Sequence, residues 1–295
     1  MTSAPLVAAH DLRIDTRGAI AIERASFTSH GHSVALLGDE HGILSAIAGA
    51  ADIRSGTLCI LGVEVGDGAH LRSNLVGVAA VDPPLPPRWT AREYLVWGAR
   101  LGGADKASAG RDAAQALAEF GLESAADQRL DSLPLAERRV LVLAQAVIGK
   151  PAVLVASTPL SGLGGREASY VASAWATASR GRQWIVSLSN LYLGSAESVL
   201  AQSADDLLLF SSGRLVRQGK LDRLESGAVG YTLTVRSKIE ELREALRARG
   251  IDLTGGPRRF FVELPKEMKA QDLLSISADI GAPIVELVPR IPVEP

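Results

Sequence analysis

The apolar run Ser33-Val34-Ala35-Leu36-Leu37 ends at Gly38, and a helix-forming segment begins at Ile43 and is expected to run to Ala51. A strand, a glycine turn and a helix in that order are suited to holding a phosphate, because the turn amides and the helix N-terminus point at the anion. The sequence that performs this chemistry is G-x-x-x-x-G-K-[ST]: glycine amides wrap the phosphates, lysine neutralises them and the hydroxyl holds magnesium. Here the turn reads Gly38-Asp39-Glu40-His41-Gly42. It has no lysine, no hydroxyl at the magnesium position, and two carboxylates where a polyanion would sit. A carboxylate in that place can cap the helix and substitute electrostatically for a phosphate, so the turn is expected to be structural. A metal site made from Asp39, Glu40 and His41 is the competing possibility, and it rests on three adjacent residues of one turn. His30 and His32, either side of a glycine, are expected in a surface turn and not as ligands.

The elements that would position this turn can be read outward from it. Leu6 to Ile14 and Ala19 to Ser29 alternate as strands, separated by Thr16-Arg17-Gly18. Gly56 to Gly62 and Leu75 to Val81 are further strands, and Asp82-Pro83-Pro84-Leu85-Pro86-Pro87 is irregular because proline lacks a backbone donor. Thr90 with Glu93 forms a capping box that opens a helix over Tyr94 to Leu101. Helices are also expected over Gly110 to Phe120, Ala136 to Ile148 and Arg166 to Ser179. The uninterrupted run Ala152 to Ala156 suits a central parallel strand. Strands at Trp184 to Ser187 and Asp206 to Phe210, then a hairpin at Ser211-Ser212-Gly213 with Arg214 to Arg217, complete a mixed α/β layer structure. Beyond it, Tyr231, Leu233 and Val235 alternate, and Ile239, Leu242 and Leu246 line a helix closed by Gly250. Phe260, Val262 and Leu264 alternate again, Leu273, Ile276 and Ile280 line a helix up to Gly281, and Ile284 to Val288 is a last strand. The order βαβαβ predicts a small ferredoxin-like or related α+β module over 231–295, separate from a larger domain over 1–225. The charged face of its first helix, with Glu240 to Arg243 and Glu244 to Arg247 pairs, is expected to be solvated.

Composition narrows the function classes. The 295 residues are 47% apolar, enough for a sizeable core, and the formal charge of -2 supplies no field for nucleic acid or an acidic membrane surface. The apolar stretches, such as Val140 to Ile148, fall short of the roughly 20 residues that a membrane span needs, and a cytoplasmic location is expected. Cys59 is the only cysteine, which excludes an internal disulfide and suggests an inert core thiol.

The order of these pieces resembles the ATP-binding cassette (ABC) ATPases over residues 5 to about 225. The resemblance is carried by Ser26-Phe27 through Gly38, Ser55-Gly56-Thr57 through Gly62, Trp89-Thr90-Ala91-Arg92-Glu93-Tyr94-Leu95, Leu143-Ala144-Gln145-Ala146, Pro151 to Leu163 and Gly213-Arg214-Leu215-Val216. It implies an ABC-type nucleotide-binding fold with a β-rich lobe, a mixed α/β core and a helical subdomain. The C-terminal module resembles the extension of bacterial exporter ATPases. The residues that carry chemistry in the family are replaced. Its signature Leu-Ser-Gly-Gly-Gln falls on Leu133-Pro134-Leu135-Ala136-Glu137, and its Walker B Asp-Glu-Pro falls on Ser157-Thr158-Pro159. Its phosphate-sensing glutamine falls on Val81 and its D-loop aspartate on Gly164. The switch histidine has no counterpart, since all five histidines lie at or before His70, and no aromatic residue precedes Phe27 to stack on adenine.

The resemblance therefore implies a catalytically inactive ABC-type subunit. A charge-assisted hydrogen bond is worth roughly 1.5 to 3 kcal/mol, and losing one preorganised donor costs about 10² to 10³ in rate. Phosphoryl transfer depends on such positioning almost entirely. No catalytic residue is expected, and neither ATP nor magnesium as cofactor; Gly38, Asp39, Glu40 and Gly42, Pro134, Leu135 and Ala136, and Ser157 and Thr158 are vestiges. The family closes one subunit's signature over its partner's phosphate loop. Pro134, with neither hydroxyl nor amide proton, and Leu135 in place of glycine cannot do this in the usual way. The resemblance implies a structural or regulatory role at the inner face of a membrane, paired with an active ABC ATPase or with itself beneath a permease. Partner contacts are expected at Pro84, Trp89, Tyr94 and Trp97, an aromatic cluster in a chain that is only 4% aromatic. The alternatives are a divergent ATPase that binds nucleotide through other residues, and a soluble regulator that has left transport.

Overall fold

The computed structural model describes residues 4–16, 19–38, 42–189, 196–211, 213–221, 230–265 and 268–290. They form two compact units, Met1–Asn190 with Ser203–Gln218, and Leu191–Gln202 with Gly219–Pro295. The expected boundary at 225–231 falls mostly outside the described residues.

In the first unit, period-two burial builds an antiparallel lobe. β1 (Val7–Thr16) lies between β2 (Ala19–Ser29) and β4 (Asp52–Ile60), with Val7 opposite both Ser29 and Ile60. Leu12, Ile14, Ile22, Leu58 and Ile60 fill its inner face. The short β5 (Val63–Glu64) closes one edge. The other strands are β3 (Ser33–Leu37), β6 (Val76–Ala79), β7 (Val153–Ala156), β8 (Gln183–Leu188), β9 (Asp206–Ser211) and β10 (Arg214–Gly219). All of them join one ten-stranded sheet, ordered β5-β4-β1-β2-β10-β9-β3-β8-β7-β6. β3 runs parallel to β8 and β9 on either side of it, Ala35 facing Val186 and Leu207. β7, buried at all four positions, pairs in parallel with β6 and β8.

Helices intervene between its strands. α1 (Ile43–Ile47) is shorter than the expected Ile43 to Ala51. Gly49 adopts φ +71°, a left-handed conformation that ends a helix and that the apolar pattern alone does not reveal. α2 (Ala69–Arg72) is a single turn. α3 (Ala91–Leu101) begins at the expected capping box: the Glu93 amide donates to Thr90 Oγ1 at 3.1 Å, and the Thr90 amide donates to Glu93 Oε2 at 2.8 Å. α4 (Lys106–Glu119) begins four residues before Gly110, because Asp105 Oδ1 caps it by accepting from the amides of Ala107 and Ser108. α5 (Leu135–Ile148) packs on α3, on α4 and on α6 (Gly165–Ser179). α6 is fixed to β8 by Trp175, whose ring meets Trp184 edge to face at 5.4 Å. α7 (Ala196–Ser203), which follows β8 in the chain, belongs almost wholly to the second unit.

The second unit gains a strand that its alternation had not revealed. β11 (Gly230–Val235), α8 (Ile239–Arg247), β12 (Leu253–Gly255), β13 (Arg259–Glu263), α9 (Ala270–Ile280) and β14 (Ile284–Arg290) give βαββαβ in place of βαβαβ. The sheet order β12-β13-β11-β14, antiparallel throughout, is the split arrangement of ferredoxin-like folds. Leu233, Val235, Leu242, Leu246, Phe260, Val262 and Leu273 fill its core. On α8, Arg243 lies 3.6 Å from Glu240 and sits over the Phe260 ring at 5.7 Å, so part of the face expected to be solvated rests on the core.

Candidate functional site

Parallel α/β sheets bind their ligands beyond the carboxyl ends of the strands. In this sheet the relevant ends are those of β3, β7 and β8. β3 ends at Gly38, whose φ of +79° only glycine adopts readily; a Cβ there would lie 2.2 Å from the Phe210 carbonyl oxygen. Asp39, Glu40 and His41 lie outside the described residues, and with them the expected self-capped turn. Gly42 is buried and precedes α1 with no side-chain cap; its carbonyl accepts from the Ala46 amide at 3.0 Å. α1 has only five residues, and four of them, Ile43, Leu44, Ala46 and Ile47, are buried. The His70 ring, 1% exposed, donates from Nε2 to the Ile47 carbonyl at 2.7 Å and so fixes the last turn of α1.

β7 ends at Ser157 and Thr158, both half-buried. The Ser157 amide donates to the Ala79 carbonyl at 2.9 Å, and the Thr158 amide donates to both the carbonyl and Oγ of Ser187 at 3.1 Å. Thr158 holds φ +37°, unusual for a β-branched residue. The strand end is thus stitched to both its neighbours, and the side chains it offers are two hydroxyls. Pro134 caps α5 without a side-chain hydrogen bond; Leu135 is half-buried and Ala136 buried. Val81 is 36% exposed and Gly164 caps α6 in extended conformation. Among the described residues no group of three or more His, Cys, Asp or Glu is placed to hold a metal ion. His30 and His32 are exposed. Cys59 is half-buried and not a core residue, because it lies on the face of β4 opposite Leu58 and Ile60; burial first, then Glu64, pushes its thiol pKa up.

The structure also joins segments that the sequence left separate. Arg139, 8% exposed, makes a bidentate ion pair with Asp82 at 3.1 and 3.0 Å and donates from Nη1 to the carbonyls of Pro159 and Ser161. One guanidinium therefore ties the proline loop, α5 and the segment after β7 together. The only local sign of it is an arginine immediately before the apolar run of α5. Beside this pair lies a groove of about 440 Å³, with Pro83, Pro84, Leu85, Leu135, Arg138 and Val142 among its lining.

The four expected contact residues are not equivalent. Pro84 is exposed, Trp89 half-buried, Trp97 43% exposed and Tyr94 only 7% exposed. Tyr94 stacks beneath Trp97 at 6.0 Å, and Trp89 meets Trp97 edge to face at 6.0 Å, so the three rings form one cluster with Trp97 outermost. Trp89 is held in place where its carbonyl accepts from the Leu130 amide at 2.9 Å.

Solved structures share this architecture. CbiO1 of Clostridium perfringens, described as part of the ABC transporter complex CbiONQ, superposes with a TM-score of 0.62 over 83% of this chain and 95% of its own, at 15% identity. An ATP-binding subunit of an ABC transporter superposes with a TM-score of 0.60 over 75% of this chain and 92% of its own, at 19% identity. The chain has the ATP-binding cassette fold. Sequence matches point the same way. The cassette is 27% identical over 262 residues to the uncharacterized ABC transporter ATP-binding protein YxlF of Bacillus subtilis, covering 86% of this chain and 85% of that protein. It is 28% identical over 263 residues to the Nod factor export ATP-binding protein I of Bradyrhizobium diazoefficiens, covering 84% and 83%. No protein-family model matches the cassette. The sequence relatives and the solved structures alike are described as ABC transporter proteins. No helix among its described residues is long and apolar enough to cross a membrane.

Proposed function

We propose that this cassette is a catalytically inactive subunit of an ABC transporter-like complex, with a structural or regulatory role at the inner face of the membrane. The carrying observation is the end of β7. Where the chemistry requires one carboxylate for magnesium and another for the attacking water, the chain has Ser157 and Thr158, and their amides are already engaged by β6 and β8. Hydroxyls there supply neither the charge nor the base that the reaction needs. The lysine-free turn after Gly38 and the proline at the cap of α5 support the same reading, since each lacks a donor that would face a phosphate. The residues present do not fit Mg-ATP.

A subunit of this kind acts by assembly. It pairs with an active ABC ATPase or with a second copy of itself, and docks a permease through the proline loop and α3, where Trp97 is outermost. Calorimetric titration with ATP, with and without magnesium, at protein concentrations that detect a millimolar dissociation constant tests the proposal: no heat of binding is expected. Saturable binding would restore the divergent-ATPase alternative.

A further inference from the structure

The groove beside the Arg139–Asp82 pair has an uneven distribution of charge. Its walls are apolar: Pro83, Pro84 and Leu85 on the loop, Leu135 and Val142 on α5. Three of the four charged side chains on the lining have partners, Arg139 on Asp82, and Asp131 on Arg129 at 2.7 Å. The fourth is Arg138. It is half-buried, its Nε is enclosed, and among the described residues its side chain has neither a hydrogen-bond partner nor a counter-ion. An enclosed guanidinium nitrogen without a partner costs the free protein stability, because that donor has lost water and gained nothing. A carboxylate entering the groove would complete it with a charge-assisted bond.

We propose that Arg138 is the specificity residue of this groove, and that the groove takes a short cytosolic segment of a membrane protein with an apolar face and one Asp or Glu directed at Arg138. This rests on the docking reading above and adds the identity of the recognised group. The apolar wall sets the hydrophobic side of the segment; the single unmatched cation sets its acidic residue and rejects a segment that offers a basic one.

In the cells the chain comes from, p-benzoylphenylalanine is placed in the full chain at one of two positions: in place of Leu135, one turn from Arg138 on α5, or in place of Trp97. After irradiation the crosslinked peptides are sequenced by mass spectrometry. The expected result is capture of the same integral membrane protein from both positions, with the peptide captured from position 135 carrying an Asp or Glu. Arg138→Gln should lower capture from position 135 about tenfold, and Arg138→Lys should restore most of it. Capture from position 97 alone, a captured peptide without a carboxylate, or capture indifferent to Arg138→Gln would overturn the role of Arg138 while the docking reading stands. Failure to capture any membrane protein from either position would remove both.

Discussion

Arg139 holds Asp82 through two parallel hydrogen bonds of 3.1 and 3.0 Å across 57 residues of chain, while its other nitrogen serves the segment after β7. One buried cation therefore fixes the proline loop, α5 and the segment after β7 to one another. The arginine is 8% exposed and the aspartate side chain 51% exposed, so the aspartate is the accessible half of the pair.

Asp82→Asn tests this connection. Asp82 occupies φ +41°, a conformation that asparagine also tolerates, so the substitution removes charge with little backbone strain. The buried guanidinium loses its counter-ion, and urea unfolding should show a loss of about 2 kcal/mol, less than for a fully buried pair because Asp82 is half in water.

Gly38→Ala should destabilise the first unit by at least about 2 kcal/mol, seen as a lower midpoint in thermal unfolding. The reason is double: a left-handed φ of +79°, and a Cβ placed 2.2 Å from a carbonyl oxygen on β9. That strand cannot retreat without breaking the sheet. A mild effect would mean that Gly38 lies less tightly against β9 than this.

Tyr94 contributes to the alkaline limit. Burial pushes its phenol up to about 12 from the ordinary 10. The unfolded chain therefore loses this proton before the folded one does. Stability from this group is complete below pH 10 and declines as pH rises from there through the folded value, by roughly 1 kcal/mol at pH 11. Tyr94→Phe should flatten the fall of the thermal midpoint between pH 9.5 and 11.5. Parallel curves for the two proteins would reject the assignment.

Installing Ser157→Asp together with Thr158→Glu should not create ATPase activity. The two carboxylates would return, but the turn after Gly38 would still offer no lysine to the phosphates and α5 would still open with Pro134. Phosphate release indistinguishable from the unaltered chain is the expected result. Turnover would show that the loss at β7 alone silences the cassette.

Much of the fold was legible because it is written locally. Alternation in β1, β2, β11 and β13, the unbroken run of β7, and the pair Thr90 and Glu93 each specify an element within a few residues. The misses are local signals too weak to separate. Gly110 drew the start of α4 away from Asp105, and the three residues of β12, of which only Leu253 is buried, carry no period. The aromatic cluster was legible as a cluster. Which ring lies outside was not, because Tyr94 and Trp97 are three residues apart on one helix and only the packing of α3 decides between 7% and 43% exposure. The Arg139–Asp82 pair was illegible in principle, since no local pattern encodes a partner 57 positions away.

β3 lies between β8 and β9, and β10 bridges β9 to β2. During synthesis the early strands therefore emerge long before their neighbours: Ser33–Leu37 must wait for Gln183–Leu188 and Asp206–Ser211. Until residue 211 has left the ribosome, two ladder edges of a nearly all-apolar strand stay open. A chain with so much long-range pairing closes slowly and passes through states prone to clumping. Its yield in an expressing cell should respond to growth temperature and to chaperones that shield nascent chains more than to any ligand in the medium.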